Sequence, residues 1–202
     1  MKSFIKLAAI SAAAIFAIYL LVGEVQAPGP DQHPPHSEKA EKTVAISAPA
    51  TLLLAEIDEH KITGTDFNQY LALFKNNDQS HAASPALRER QINNLINRTL
   101  LLEEARREGY FKDEDLKKHG SLNQSEHETI VLRHFLTDKI SRPATIDEAE
   151  LKTYQEAHSQ LSPEQARERL TAEHQLQLFQ KLMQDLRKGH QIVIHRENLT
   201  RF

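Results

Sequence analysis

Histidines and carboxylates are the residues here whose types and spacing could do chemistry, since the 202-residue chain has eleven histidines and no cysteine. His127 and His134 are seven apart, so they share a helix face, with Glu126 and Glu128 beside them. A zinc pair is better served by the i, i+4 spacing, so the two read as structural or surface residues. His33 and His36 flank two prolines and read as solvated side chains. Glu103–Glu104 and Asp113-Glu114-Asp115 are carboxylates of the kind that supply acid–base catalysis. They fall on expected exposed helix faces or in first turns, where they complement the helix dipole.

The lack of cysteine removes disulfides, thiolate nucleophiles and Cys-based zinc sites, and it suits an oxidising compartment. The six glycines make no G-x-G-x-x-G or Walker arrangement, and no G-x-S-x-G or HExxH motif is present. A net charge of -3 and the lack of a basic stripe around Arg106-Arg107 or Arg167 and Arg169 argue against nucleic-acid binding. No catalytic residue, metal ion or cofactor is therefore expected.

The elements that would position any site are mainly helical. Leu52 to Ile57 reads as a strand, followed by a polar turn and a brief return at Ile62. Thr63 with Asp66 starts a helix whose Phe67, Tyr70, Leu71 and Phe74 share a face. Ser84-Pro85 opens the strongest helix, which carries Ile92, Leu95, Ile96, Thr99, Leu102 and Ala105 and stops at Gly109. Asp113 would cap a short acidic helix. A further helix, about 125–140, would turn Ile130, Val131, His134 and Phe135 inward. Thr145 to Glu148 reads as a capping box, and so does Ser162 to Gln165, whose helix runs to Lys188. Gln191 to His195 reads as a closing strand, expected to pair with the first and tie the ends of the folded part together.

Lys2 and Lys6 precede an unbroken apolar run containing Leu7, Ile10, Ile15, Phe16, Ile18, Leu20, Leu21 and Val22. At about 1.5 Å per residue it spans roughly 24 Å, somewhat less than a hydrocarbon core of about 30 Å. A cleavage site would fall at Val25-Gln26-Ala27, but Pro28 follows and opposes cleavage. Residues 1–23 are therefore expected to be a retained signal anchor, with removal as a signal peptide the alternative. The basic flank puts everything downstream outside the membrane. Residues 24–50, rich in proline, form a flexible spacer, and 51–202 form the folded part.

The stretch LLLAEIDEHKITGTDFNQYL, followed by LRERQINNLINRTLLLEEARREGYFKDEDL, resembles the N-terminal chaperone domain of the SurA/PpiD/PrsA group of extracytoplasmic foldases. Asn94 to Leu101 with Glu104-Ala105 carry the likeness most closely, and Thr145 to Tyr154 and Ala166 to Ile194 extend it across most of the folded part. Where the family keeps a parvulin prolyl-isomerase domain, only Gln155 to Leu161 intervene, so the resemblance implies the chaperone module without the isomerase.

The implied fold is a mainly α, SurA-N-like domain with a small sheet pairing the terminal strands. The implied function is that of a membrane-tethered periplasmic holdase for unfolded exported polypeptides, anchored in the inner membrane. An accessory factor for one envelope or export partner is the alternative, and an isomerase assignment would rest on the family name alone. Candidate client-binding residues, expected to be exposed, are Tyr70, Phe74, Tyr110, Phe111, Phe135 and Met183.

Overall fold

The computed structural model describes residues 48–73, 84–112 and 123–201. The apolar run Leu7–Val22, the spacer up to residue 47, Phe74 and the expected acidic helix after Asp113 lie outside them. Among the described residues no helix is long and apolar enough to cross a membrane. The chain is mainly helical with one small antiparallel sheet, as expected. It divides into a strand-bearing unit (48–98 with 190–201) and a helical unit (Thr99–Gly189).

In the strand-bearing unit, β1 (Leu53–Ile57) turns back into β2 (His60–Thr63). Asp58 takes the turn with φ of 51°, a left-handed conformation that aspartate tolerates better than most residues. Helix α1 (Gly64–Ala72) follows at once. The Asp66 carboxylate accepts from both the Thr63 N–H (2.7 Å) and its Oγ1 (2.6 Å), fastening the helix start to the strand end. Gly64 is fixed by close approach, since a Cβ there would overlap the carbonyl of Pro49. Helix α2 (Pro85–Arg107) starts after Ser84, and its residues divide between the two units after Arg98.

After the helical unit the chain returns as β3 (Ile192–Ile194), then makes a single turn, α6 (Arg196–Leu199), absent from the sequence-based expectation. The sheet order is β2-β1-β3, so the two terminal strands pair antiparallel as expected. Leu54, Ala55, Ile57, Ile62, Phe67, Ile92 and Ile96 are fully buried. Each large apolar side chain so buried contributes about 1.5–3 kcal/mol.

The helical unit begins with the end of α2, which stops at Gly109, whose φ of 91° only glycine adopts readily. A short 3-10 turn at Tyr110–Lys112 follows, then α3 (Gln124–Leu136) and a π turn at Thr137–Ser141. Asn123 caps α3 by accepting from the Glu126 N–H at 3.0 Å. The inward stripe of α3 is Val131, Leu132, Phe135 and Leu136, continued by Ile140. His134 is exposed, contrary to expectation, because at 100° per residue it lies more than a quarter-turn from the centre of that stripe.

Helix α4 (Glu148–Ala157) is capped by Asp147, which accepts from Glu150 N–H at 2.7 Å, and not by Thr145. The Thr145 N–H instead closes a tight turn onto the Pro143 carbonyl at 2.7 Å, which keeps it out of the cap position. Helix α5 (Pro163–Lys188) has the expected Ser162–Gln165 capping box with proline in its first turn. Leu151, Ala166 and Leu170 form the buried seam between α4 and α5, with Ile146, Tyr154 and Leu161 packed against it. Above that seam run Tyr154–Glu173 (2.7 Å), Arg167–Glu148 (2.7 Å) and His174–Glu150 (2.7 Å).

Replacing Ser162 with alanine removes one half of a capping box and is expected to lower stability by about 1 kcal/mol in urea unfolding. Gly64→Ala is expected to be the more damaging change. Its new Cβ meets backbone, which cannot move aside as a side chain can, so its unfolding midpoint should fall below that of Ser162→Ala.

Candidate functional site

The aromatic residues expected to contact clients do not form one exposed surface. Tyr70 is buried in the strand-bearing unit, and burial pushes its hydroxyl up to about 12. Phe135 (0% exposed) and Met183 (7%) are also buried, so the expectation of exposure is corrected for all three. The reason is that each sits on the same helix stripe as the core aliphatics: Phe135 beside Val131 and Leu132, Met183 one turn after Phe179.

Tyr110 and Phe135 do come together, edge to face with centroids 5.3 Å apart. The Tyr110 hydroxyl donates to Asp138 at 3.0 Å, and burial followed by that carboxylate pushes it up to about 12. Phe111 is half-buried, held between the Arg106 guanidinium (4.6 Å) and the His127 ring (5.7 Å). That contact accounts for His127 by packing, and among the described residues no group of histidines and carboxylates could hold a metal ion. Of the carboxylates considered for acid–base work, Glu104 is bound to Arg107, whose hydrogen bond holds its carboxyl below the usual range.

Among the described residues the large exposed apolar side chains are Leu73, Leu176 and Val193. Val193 differs from the other two in lying at the centre of β3, on the margin of a sheet. The ladder fixes what that margin offers. Asp58 N–H donates to the Gln191 carbonyl (2.8 Å) and His195 N–H to the Leu54 carbonyl (3.0 Å), with Glu56 paired to Val193 between them. Antiparallel bonding alternates along a strand, so the peptide groups of 191, 193 and 195 face β1. Those of Ile192 and Ile194 face outward, where no strand lies among the described residues.

The two faces of the sheet differ. Ala55, Ile57 and Ile62 line one face with their partners Ile192 and Ile194, while Glu56, Lys61 and Val193 share the other. The opposite margin is guarded. By the same alternation β2 turns outward the peptide groups of Lys61 and Thr63, but Asp66 takes the Thr63 N–H and Lys61 supplies the charge that discourages strand addition. The margin at β3 has an Ile-Val-Ile run and, among the described residues, no such guard.

Strand β3 is held in place at both ends. His190 Nδ1 lies 2.6 Å from Asp58 Oδ2, whose Oδ1 accepts the Gln191 N–H at 2.8 Å. His195 Nε2 lies 2.8 Å from Glu56 Oε1, with Glu197 3.5 Å from its other nitrogen. A carboxylate can only accept, so His190 Nδ1 and His195 Nε2 donate. Arg196 then reaches Glu89 with two nitrogens (2.9 and 2.7 Å), Arg88 the Leu199 carbonyl (2.8 Å) and Asn198 the Leu53 carbonyl (2.7 Å). What the arrangement can do chemically is present a fixed strand with unused, directional hydrogen-bonding groups. The sequence contains the signal for this strand in QIVIH, but nothing local marks it as an outer one.

The Gln191 amide, and after it His190, hold the Asp58 carboxyl below the usual carboxylate range. With the folded-state value depressed, the stabilisation is complete above the ordinary range near pH ~4 and is lost as pH falls through the depressed value. Hydrogen exchange should therefore show the Asp58 and His195 amides losing protection in acid, and Asp58→Asn should flatten that dependence.

No family model matches the chain, and no curated protein or solved structure matches it either.

Proposed function

We propose that this chain is a membrane-tethered, periplasm-facing holdase that binds extended segments of exported polypeptides without prolyl-isomerase catalysis. The observation that carries the reading is the outer strand β3, apolar, exposed at Val193 and with the peptide groups of Ile192 and Ile194 turned outward. Main-chain groups are common to every polypeptide, so a site built from them is tolerant of sequence, as binding many unfolded clients requires. The apolar run from Leu7 to Val22 behind two lysines supports the tether, and the Pro-rich spacer would set the reach of the folded part from the bilayer. The resemblance of 52–194 to extracytoplasmic chaperone domains points the same way.

The test is suppression of light scattering by an aggregating unfolded client. The full chain at stoichiometric excess is expected to delay aggregation, and no delay overturns the reading. Stable recovery of one folded partner in place of many clients would replace it with a dedicated assembly factor. Clear turnover in a prolyl-isomerase assay would overturn the non-catalytic part.

A further inference from the structure

Resting on the holdase reading, we infer the class of segment that this edge takes: a strand lying antiparallel to β3, alternating apolar with basic residues. The register of such a strand follows from the ladder. Only Ile192 and Ile194 present outward peptide groups, so an added strand bonds through two alternate residues, extending the pattern that β1 makes with 191, 193 and 195.

The faces of the sheet then sort its side chains. Residues on one side of the added strand fall next to Ile192 and Ile194, continuing the apolar face of Ala55, Ile57 and Ile62, and these should be aliphatic. Residues on the other side fall next to Val193, on the face of Glu56 and Lys61. Among the described residues carboxylates predominate around that strand. Glu56, Asp58 and Glu197 stand close to His195 and His190, while Lys61 lies on β2, beyond β1, and Arg196 is engaged by Glu89. With three carboxylates gathered around one short strand, the margin attracts cations and repels anions.

The same charge argument disfavours a second copy of this chain as the occupant. Two β3 strands related by a two-fold axis would bring both sets of carboxylates together. An alternating apolar/basic segment meets no such repulsion and completes both faces of the sheet.

The test uses the full chain at pH 8 and two labelled peptides, one alternating valine with lysine and the other valine with glutamate, followed by fluorescence anisotropy. The lysine peptide should bind about tenfold tighter than the glutamate one. Ile194→Pro removes an outward N–H and none of the inward bonds, as suits an edge strand. It should weaken the lysine peptide about five- to tenfold while the Asp58 and His195 amides keep their protection. Should that variant fail to fold, Val193→Lys, which changes only an exposed side chain, should narrow the preference for the lysine peptide.

Equal binding of both peptides, or binding that neither variant alters, overturns the proposal. So does self-association by sedimentation that Ile194→Pro abolishes while neither peptide binds, since the occupant is then a second copy. The aggregation assay separates this proposal from the reading beneath it. Suppression that persists undiminished in both variants retains the holdase and rejects the edge. Edge-dependent peptide binding without suppression by the unaltered chain retains the edge and rejects the holdase.

Discussion

Strands β1 and β3 are separated by more than 130 residues, as the 132-residue interval between Asp58 and His190 shows, and the strand-bearing unit depends on their meeting. Closing a flexible loop of that length costs about 4 kcal/mol before any contact repays it. A three-residue strand supplies only a few backbone bonds, each with a net contribution of about 0.5–1.5 kcal/mol. The residues flanking β3 add the rest. His190 and His195 bind carboxylates on either side of the pairing, and Arg196, Asn198 and the Leu199 carbonyl tie the last turn to α2 and β1.

That arrangement explains why the last turn matters despite its four residues. Leu199 is almost wholly buried, and Arg88 donates to its carbonyl. The segment after β3 thus acts as a hydrophobic and polar latch on β1, on the side of β3 away from its outward peptide groups. The contrast between the two sheet margins follows from the chain path. Strand β2 runs directly into α1, so its last amide is taken by the helix cap at Asp66, whereas β3 leads to a turn that folds back toward β1.

Much of this was legible in local sequence, because the signals involved are local. Thr63 with Asp66, Ser162 with Gln165, Pro85, Pro163 and Gly109 mark helix ends through bonds or dihedrals set within a few residues. The misplacements have equally definite causes. Thr145 and Asp147 both suit a cap, and only the turn at Pro143 decides between them. The neighbours of His134 suggest an inward position for it, but the stripe is centred on Val131, Leu132, Phe135 and Leu136.

The sequence by itself determined the mainly helical character, most element boundaries and the strand at each end of the folded part, because capping, periodicity and turn chemistry act over a few residues. It did not determine which apolar side chains stay at the surface. Tyr70, Phe135 and Met183 match Val193 in apolar character, yet the first three are buried and Val193 is 41% exposed. Only the tertiary structure decided that, because exposure depends on what packs opposite each residue. An outer strand is outer through the order in which distant segments pair, which no local pattern records.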